Sequence, residues 1–236
     1  MYISSINIPD DVELYFIGDI HGQFSNYVSA LRNAGVGKND VVISVGDLID
    51  RGPQNFKCLA EFLRNPNRYM VMGNHEDLMI NGLSSRSHYH CWYQNGGDAS
   101  LEEFGEYGTV LLAELIREAK VPIALEISHR GKKFLVVHGG IDESIPDLQT
   151  LHAIIHDPKI QEDLVWNRNM ITRIMKFSET PSNFGGVDYT IHGHTGTKGP
   201  VLSGNRLWID TKFVEGTLTL AQFDGTKFVF HNELGF

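Results

Sequence analysis

VELYFIG (12–18), DVVISVG (40–46) and RYMVMG (68–73) are short apolar runs that each stop at a glycine, and the segments between them have helical spacing. SNYVSALRNAG (25–35) reads as a helix ending in glycine. PQNFKCLAEFLRN (53–65) opens with a proline suited to a helix start and carries Phe56, Leu59, Ala60, Phe62 and Leu63 at helical intervals. A short helix from Glu76 follows the third run. Strand, helix, strand, helix, strand predicts neighbouring parallel strands. In such sheets ligand chemistry collects just beyond the carboxyl ends of the strands.

The rest of the chain is less regular. LSSRSHYHCWYQNGGDAS (83–100) is polar and aromatic without a period and reads as a long surface loop, with Trp92 and Tyr93 as anchors to the body. TVLLAELIREAK (109–120) is an amphipathic helix. The second half is strand-rich: IALEIS, KFLVVHGG, DYTIHGH, RLWID, TLTLAQF and KFVFHN have the alternation or β-branched and aromatic content of half-buried strands. No repeat, low-complexity tract or linker interrupts the 236 residues, so a single α/β domain over 1–236 is expected.

Charge and cysteine content narrow the function classes. A formal net charge of −9 gives no global basic field to gather nucleic acid or an anionic membrane. The first residues, MYISSINIPDDVELYF, have no basic segment and no long apolar run, so a cytoplasmic location is expected. Two cysteines, Cys58 and Cys91, are too few for a disulfide framework. Cys58 and Arg64 have the spacing of a cysteine-dependent phosphatase loop, but LAEFL between them lacks the small residues that wrap a phosphate. Cys58 therefore reads as a packed helix residue.

What the strand ends carry is the chemistry. VELYFIG runs into Asp19 and His21; DVVISVG into Asp47, with Asp50 and Arg51 just after; RYMVMG into Asn74 and His75; KFLVV into His138; DYTI into His192 and His194. One such stop is a capped turn, whereas a set at the exits of one sheet is a site, and glycine lets the backbone turn sharply beside it. The donors are carboxylates, an amide oxygen and imidazoles without a thiolate, which suits manganese, iron or zinc better than calcium. So many donors fit two ions sharing a carboxylate, and such a pair ~3.5–4 Å apart clamps an in-line displacement at phosphorus.

GDIHG (18–22), GDLIDRG (46–52), GNHE (73–76), HGG (138–140) and GHT (193–195) resemble, in order, the signature motifs of the metal-dependent phosphoprotein phosphatases, a metallophosphoesterase family. NGLSSR, W-Y-Q-NGG, VWNR and WIDT extend the resemblance to the bacteriophage lambda type of serine/threonine protein phosphatase. The resemblance implies an α/β fold of the metallophosphoesterase type, an αββα sandwich of two mixed β-sheets flanked by helices. It implies two divalent metal ions, most simply manganese, the first on Asp19, His21 and Asp47. The second would sit on Asp47, Asn74, His138 and His194. His75 would be the general acid held by Asp50, and Arg51, Arg168 and Asn74 would face the phosphoryl oxygens of a phosphoprotein or phosphopeptide. The implied reaction is direct attack of metal-activated water on phosphoserine or phosphothreonine. A protonated imidazole is apt for an alkoxide leaving group, and an arginine fork matches two phosphate oxygens.

Two departures stand out: Lys212 and Phe213 follow WIDT where a glycine and a small residue are usual, and His192 occupies a slot commonly held by arginine or an apolar residue. His192 is expected to line the phosphate pocket or to pack. Rival readings are a symmetrical diadenosine tetraphosphate hydrolase, a phosphodiesterase and a non-catalytic metal- or phosphate-binding module. Asp50 and Glu76 disfavour the first, Gly196 in place of a further histidine the second, and the complete residue set the third. His88, His90, His129, His152, His156 and His231 carry no assigned role, and the oligomeric state is open.

Overall fold

The computed structural model describes residues 2–212 and 216–235, so Phe213, the second residue of the departure after WIDT, lies outside the described residues. The chain runs β1 (Ile3–Asn7), β2 (Leu14–Ile17), α1 (Phe24–Asn33), β3 (Val41–Ser44), α2 (Asn55–Arg64), β4 (Arg68–Met70) and α3 (Asn74–Gly82). Then come α4 (Arg86–Trp92), a π-helical turn (Tyr93–Gly97), α5 (Asp98–Glu118), β5 (Ala124–His129) and β6 (Lys132–Val137). It ends with α6 (Leu148–Ile154), α7 (Pro158–Trp166), α8 (Asn169–Phe177), β7 (Tyr189–His192), β8 (Val201–Ser203), β9 (Arg206–Trp208), β10 (Leu220–Phe223) and β11 (Phe228–His231).

Two mixed sheets result, in strand order β1-β5-β6-β7-β9-β8 and β11-β10-β2-β3-β4. In the second, β2, β3 and β4 are parallel, as their helical crossovers require, and β10 and β11 add antiparallel strands at one side. In the first, β6, β7 and β9 are parallel. All four residues of β2 are buried because both faces of its sheet are covered. Leu14 and Phe16 point between the sheets, where Phe16 meets Phe134 at 5.4 Å; Tyr15 and Ile17 face the helices. Phe16→Ala would cost ~3–5 kcal/mol through the cavity it leaves. The outer faces are closed by α1, α2, α3 and α5 on one sheet and by α6 and α7 on the other. This is the expected αββα sandwich. Among the described residues no helix is long and apolar enough to cross a membrane.

Cys58 is buried on α2, as its spacing predicts. Of the residues read as a surface loop, 83–100, all from Arg86 onward are helical. Ser85 caps α4 by accepting the His88 backbone N–H, and Gly96, at φ 105°, lets the chain pass through the π-helical turn into α5. A seven-residue helix that buries only Trp92 leaves no period to read. Trp92 is the anchor expected of it, but Tyr93 is 45% exposed and stacks on Tyr89. The helix read at 109–120 begins at Asp98 and turns at Gly105. Strands β1 and β8 and helices α6 to α8 had no counterpart among the sequence expectations.

Candidate metal and phosphoester site

The parallel strands β2, β3 and β4 of one sheet and β6, β7 and β9 of the other release their carboxyl ends toward one edge of the sandwich, which brings distant residues together. Asp19 and His21 follow β2; Asp47, Asp50 and Arg51 follow β3; Asn74 and His75 open α3 after β4; His138 follows β6 and His194 follows β7. All except Arg51 are buried. The turns are tight enough that His21, Asp47, Asp50, Arg51 and His194 adopt positive φ between 45° and 74°. Non-glycine residues take up that region at a cost and tend to do so at functional sites. Two glycines permit close approach: a Cβ on Gly73 would fall 2.2 Å from Asp47 Oδ1, and one on Gly193 2.2 Å from Asp19 Oδ1.

Asp47 is the hub. Its Oδ2 lies 3.3 Å from His138 Nε2, 3.6 Å from His21 Nε2 and 3.8 Å from His75 Nε2, while Oδ1 accepts the His75 backbone N–H at 3.0 Å. Burial works to raise its pKa, but the surrounding imidazoles, His138 foremost, outweigh burial and hold the carboxyl well below its usual range. Two groups of donor atoms lie within 4.8 Å of one another and could hold a metal ion: His21, Asp47 and His75, and Asp47, His138 and His194. Asp19 stands apart from both groups, accepting the His194 backbone N–H with its two oxygens at 3.2 and 3.1 Å.

The donor set fits a divalent cation. His138 Nδ1 donates to the Val45 carbonyl at 2.7 Å, which leaves Nε2 as a lone pair facing Asn74 Oδ1 at 2.9 Å and the Asp47 carboxylate. Three acceptors converging in a buried space need positive charge between them. The same demand lifts the His138 pKa to about 9, the Asp47 charge and hydrogen bond outweighing burial. His21 spends its Nδ1–H on the Ile49 carbonyl at 2.9 Å, and burial pushes it down to about 3; His194 spends its Nε2–H on the Trp166 carbonyl at 3.0 Å, and burial pushes it to about 2. Both are neutral imidazoles with an inward lone pair, the form that binds metal.

His75 is handled differently. Its Nδ1 is 2.7 Å from Asp50 Oδ2, and although burial lowers its pKa, the charges of Asp47 and the bonded Asp50 prevail and raise it. Arg51 Nη1 donates to His21 Nε2 at 2.6 Å, and Nη2 lies 3.0 Å from His75 Nε2, a hydrogen bond only while that nitrogen carries no proton. Arg168, an exposed residue, donates from Nη1 to the His194 carbonyl at 2.7 Å, which keeps its guanidinium at the same cluster. Every site residue expected from the sequence is therefore drawn to this edge except His192. That residue is fully buried, with Nδ1 on the Gly139 carbonyl at 2.7 Å, Nε2 on Thr190 Oγ1 at 2.8 Å and its ring stacked on Trp208. It packs and does not line an open pocket.

Three residues had no assigned role in the sequence reading. Glu76 receives backbone N–H groups of Asp47, Leu48, Ile49 and Gly73 at 2.8–3.3 Å, so it shapes the loop that carries the hub; burial and then the Asp47 charge push its carboxyl up to about 7. Asp210, just past β9, is buried with Oδ1 unpartnered, and burial followed by Asp47 pushes it to about 6. RLWID ends an apolar run in an aspartate as the other exits do, a signal that could have marked it. Ser100 donates to Asp50 Oδ1 at 2.6 Å from a stretch with no sequence signal. A cleft of about 730 Å³ lies between α3, α4 and α7 and is lined by none of these site residues; Trp166 on its wall accepts the His194 Nε2–H on its carbonyl.

A family model described as calcineurin-like phosphoesterase matches residues 13–198. Serine/threonine-protein phosphatase 1 of Salmonella typhimurium is 31% identical over 214 residues, 89% of this chain and 91% of that protein. A solved protein serine/threonine phosphatase from Saccharomyces cerevisiae, at 17% identity, superposes with a TM-score of 0.65 over 98% of this chain and 82% of that one. A crystal structure provisionally assigned as a diadenosine tetraphosphatase, at 18% identity, gives 0.55 over 98% of both chains. These last two likenesses concern the fold. With motifs, sandwich and donor cluster in agreement, this chain is an enzyme of the calcineurin-like phosphoesterase family.

Proposed function

We propose that the protein is a serine/threonine protein phosphatase that hydrolyses phosphoserine and phosphothreonine in proteins by direct attack of metal-activated water. The observation that carries the reading is the His75–Asp50 pair, 2.7 Å long and buried, beside the Asp47 hub. In this reading Asp19, His21 and Asp47 hold one divalent ion, and Asp47, Asn74, His138 and His194 hold another. Manganese suits these oxygen and imidazole donors, with iron or zinc as alternatives. Bound there, the ions supply Lewis acidity and an activated water to the phosphoester.

The remaining work belongs to the chain. His75, its pKa raised by Asp47 and Asp50, holds a proton for the leaving serine or threonine oxygen, and Asp50 fixes the ring's direction. Arg51 and Arg168 offer forks to the phosphoryl oxygens, and Asn74 adds its side-chain amide. The 31% identity to a bacterial serine/threonine phosphatase across nearly its whole length supports a protein substrate. A dinucleotide polyphosphate is the second reading, favoured by 64 residues that are 42% identical to the symmetrical bis(5'-nucleosyl)-tetraphosphatase of Wigglesworthia glossinidia brevipalpis, 26% of this chain and 24% of that protein.

Phosphate release with manganese separates them, comparing phosphoserine, phosphothreonine and phosphotyrosine peptides with diadenosine tetraphosphate and a bis-aryl phosphodiester. The phosphoserine and phosphothreonine peptides are expected to have the highest kcat/KM. A preference for diadenosine tetraphosphate would replace the protein-phosphatase reading with the second, and no release from any phosphoester while metals bind would make the chain a binding module.

A further inference from the structure

Asp50 is wholly buried, and its two oxygens serve different parts of the chain. Oδ2 meets His75 Nδ1 at 2.7 Å, while Oδ1 receives the Ser100 hydroxyl at 2.6 Å and the Trp92 indole N–H at 3.1 Å. Both donors are buried, Ser100 completely and Trp92 at 1% exposure. The segment that brings them in is tightly fitted. A Cβ on Gly97 would fall 2.4 Å from the Trp92 ring, and one on Gly96 would fall 2.4 Å from Arg51 Cγ. The same segment takes the Arg51 backbone N–H on the Gly96 carbonyl at 2.9 Å and Arg51 Nε on the Asn95 carbonyl at 3.2 Å.

An aspartate carboxylate turns easily about its terminal torsion, because that torsion has only broad minima. Two donors on Oδ1 remove the freedom, since rotating the group would break two charge-assisted hydrogen bonds in a dry environment. Oδ2 then has one direction available, toward His75 Nδ1, and the far side of the imidazole is aimed by the same constraint. We infer that Ser100 and Trp92 are positioning residues for the hydrolytic step: they anchor Asp50 Oδ1, so that Oδ2 holds the His75 ring aimed at the leaving oxygen. The inference rests on the general-acid reading of His75 and extends it by two residues that touch neither substrate nor metal.

A role exerted through the leaving-group proton has a signature that loss of packing does not share. Ser100→Ala and Trp92→Phe each remove one donor, and Trp92→Phe keeps an aromatic ring in the core. Both variants and His75→Asn are assayed with manganese on a phosphoserine peptide, whose alkoxide needs a proton, and on 4-nitrophenyl phosphate, whose phenolate does not. Each positioning variant should lower kcat on the peptide about tenfold, below the ~10²–10⁴-fold worth of a positioned acid, with KM and aryl-phosphate turnover within about twofold of the parent. Equal losses on the two substrates, a loss confined to KM, or unchanged peptide turnover in both variants would overturn the inference. His75→Asn tells the two failures apart. If it discriminates between the substrates and the positioning variants do not, only the roles of Ser100 and Trp92 fall; if it loses both substrates alike, the general-acid reading falls and takes the inference with it.

Discussion

The two sides of Asp47 are built differently. On one side His138, Asn74 and His194 present acceptors inward, with His138 and His194 each spending the other ring nitrogen on a carbonyl, of Val45 and Trp166. On the other side stand His21, His75, Asp50 and Arg51, where a guanidinium lies within 3.0 Å of two imidazole nitrogens and a carboxylate props one of the rings. Backbone strain is concentrated on that second side, with His21, Asp50 and Arg51 at positive φ against His194 alone on the first. Each such residue costs ~1–3 kcal/mol, a cost that persists only where surrounding structure enforces it. The first side is a set of fixed lone pairs suited to holding an ion. The second places a proton and a positive fork beside it, and the strain buys that placement.

Asp47 belongs to both sides, so Asp47→Asn should do the most damage. Turnover is expected to fall by more than the ~10²–10⁴-fold that a lost general acid costs, and metal content measured on the purified protein should fall for both ions. Two ions retained at full occupancy would break the division, since each side would then hold its ion unaided. His75→Asn comes next and sharpens the contrast: metal content and thermal stability stay near those of the parent while turnover of alkyl phosphates falls ~10²–10⁴-fold. A variant that also lost an ion would make His75 a ligand, in keeping with its place in the His21–Asp47–His75 donor group. Arg168→Lys removes a fork but keeps a charge, so inorganic phosphate should inhibit about tenfold more weakly with both ions in place. Unaltered phosphate affinity would leave the fork at the His194 carbonyl a structural contact only.

How much of this was legible depended on whether a residue's partners lay near it in the chain. Asp19, His21, Asp47, Asn74, His138 and His194 announce themselves because a local pattern, an apolar run stopped abruptly, coincides with the sheet edge where parallel strands end. The sandwich followed from the same alternation. Asp210 shares the position but has no glycine on either side, so it did not stand out. Glu76 and Ser100 act on loops 27 to 50 residues away, Glu76 gathering the N–H groups of Asp47 to Ile49 and Ser100 reaching Asp50. No spacing rule connects such pairs. The helices in 83–100 were hidden for a related reason: their deeply buried contacts, Trp92 and Ser100 to Asp50, are non-local hydrogen bonds that leave no period.

His192 is where the comparison predicts the smallest effect on activity, although it sits two residues from His194. A carbonyl can only accept, so Nδ1–H donates to Gly139 and Nε2 accepts from the Thr190 hydroxyl; a neutral ring satisfies both, and burial holds it neutral by pushing its pKa to about 3. The ring also fills space against Trp208. His192→Ala would leave a cavity and an unpaired carbonyl, a loss of ~2–4 kcal/mol in stability readable as a lower Tm. Metal content, kcat and KM, measured well below that Tm, should match the parent. A raised KM for a phosphopeptide with Tm unchanged would return His192 to the phosphate pocket and would mean that the fixed side of Asp47 also recognises substrate.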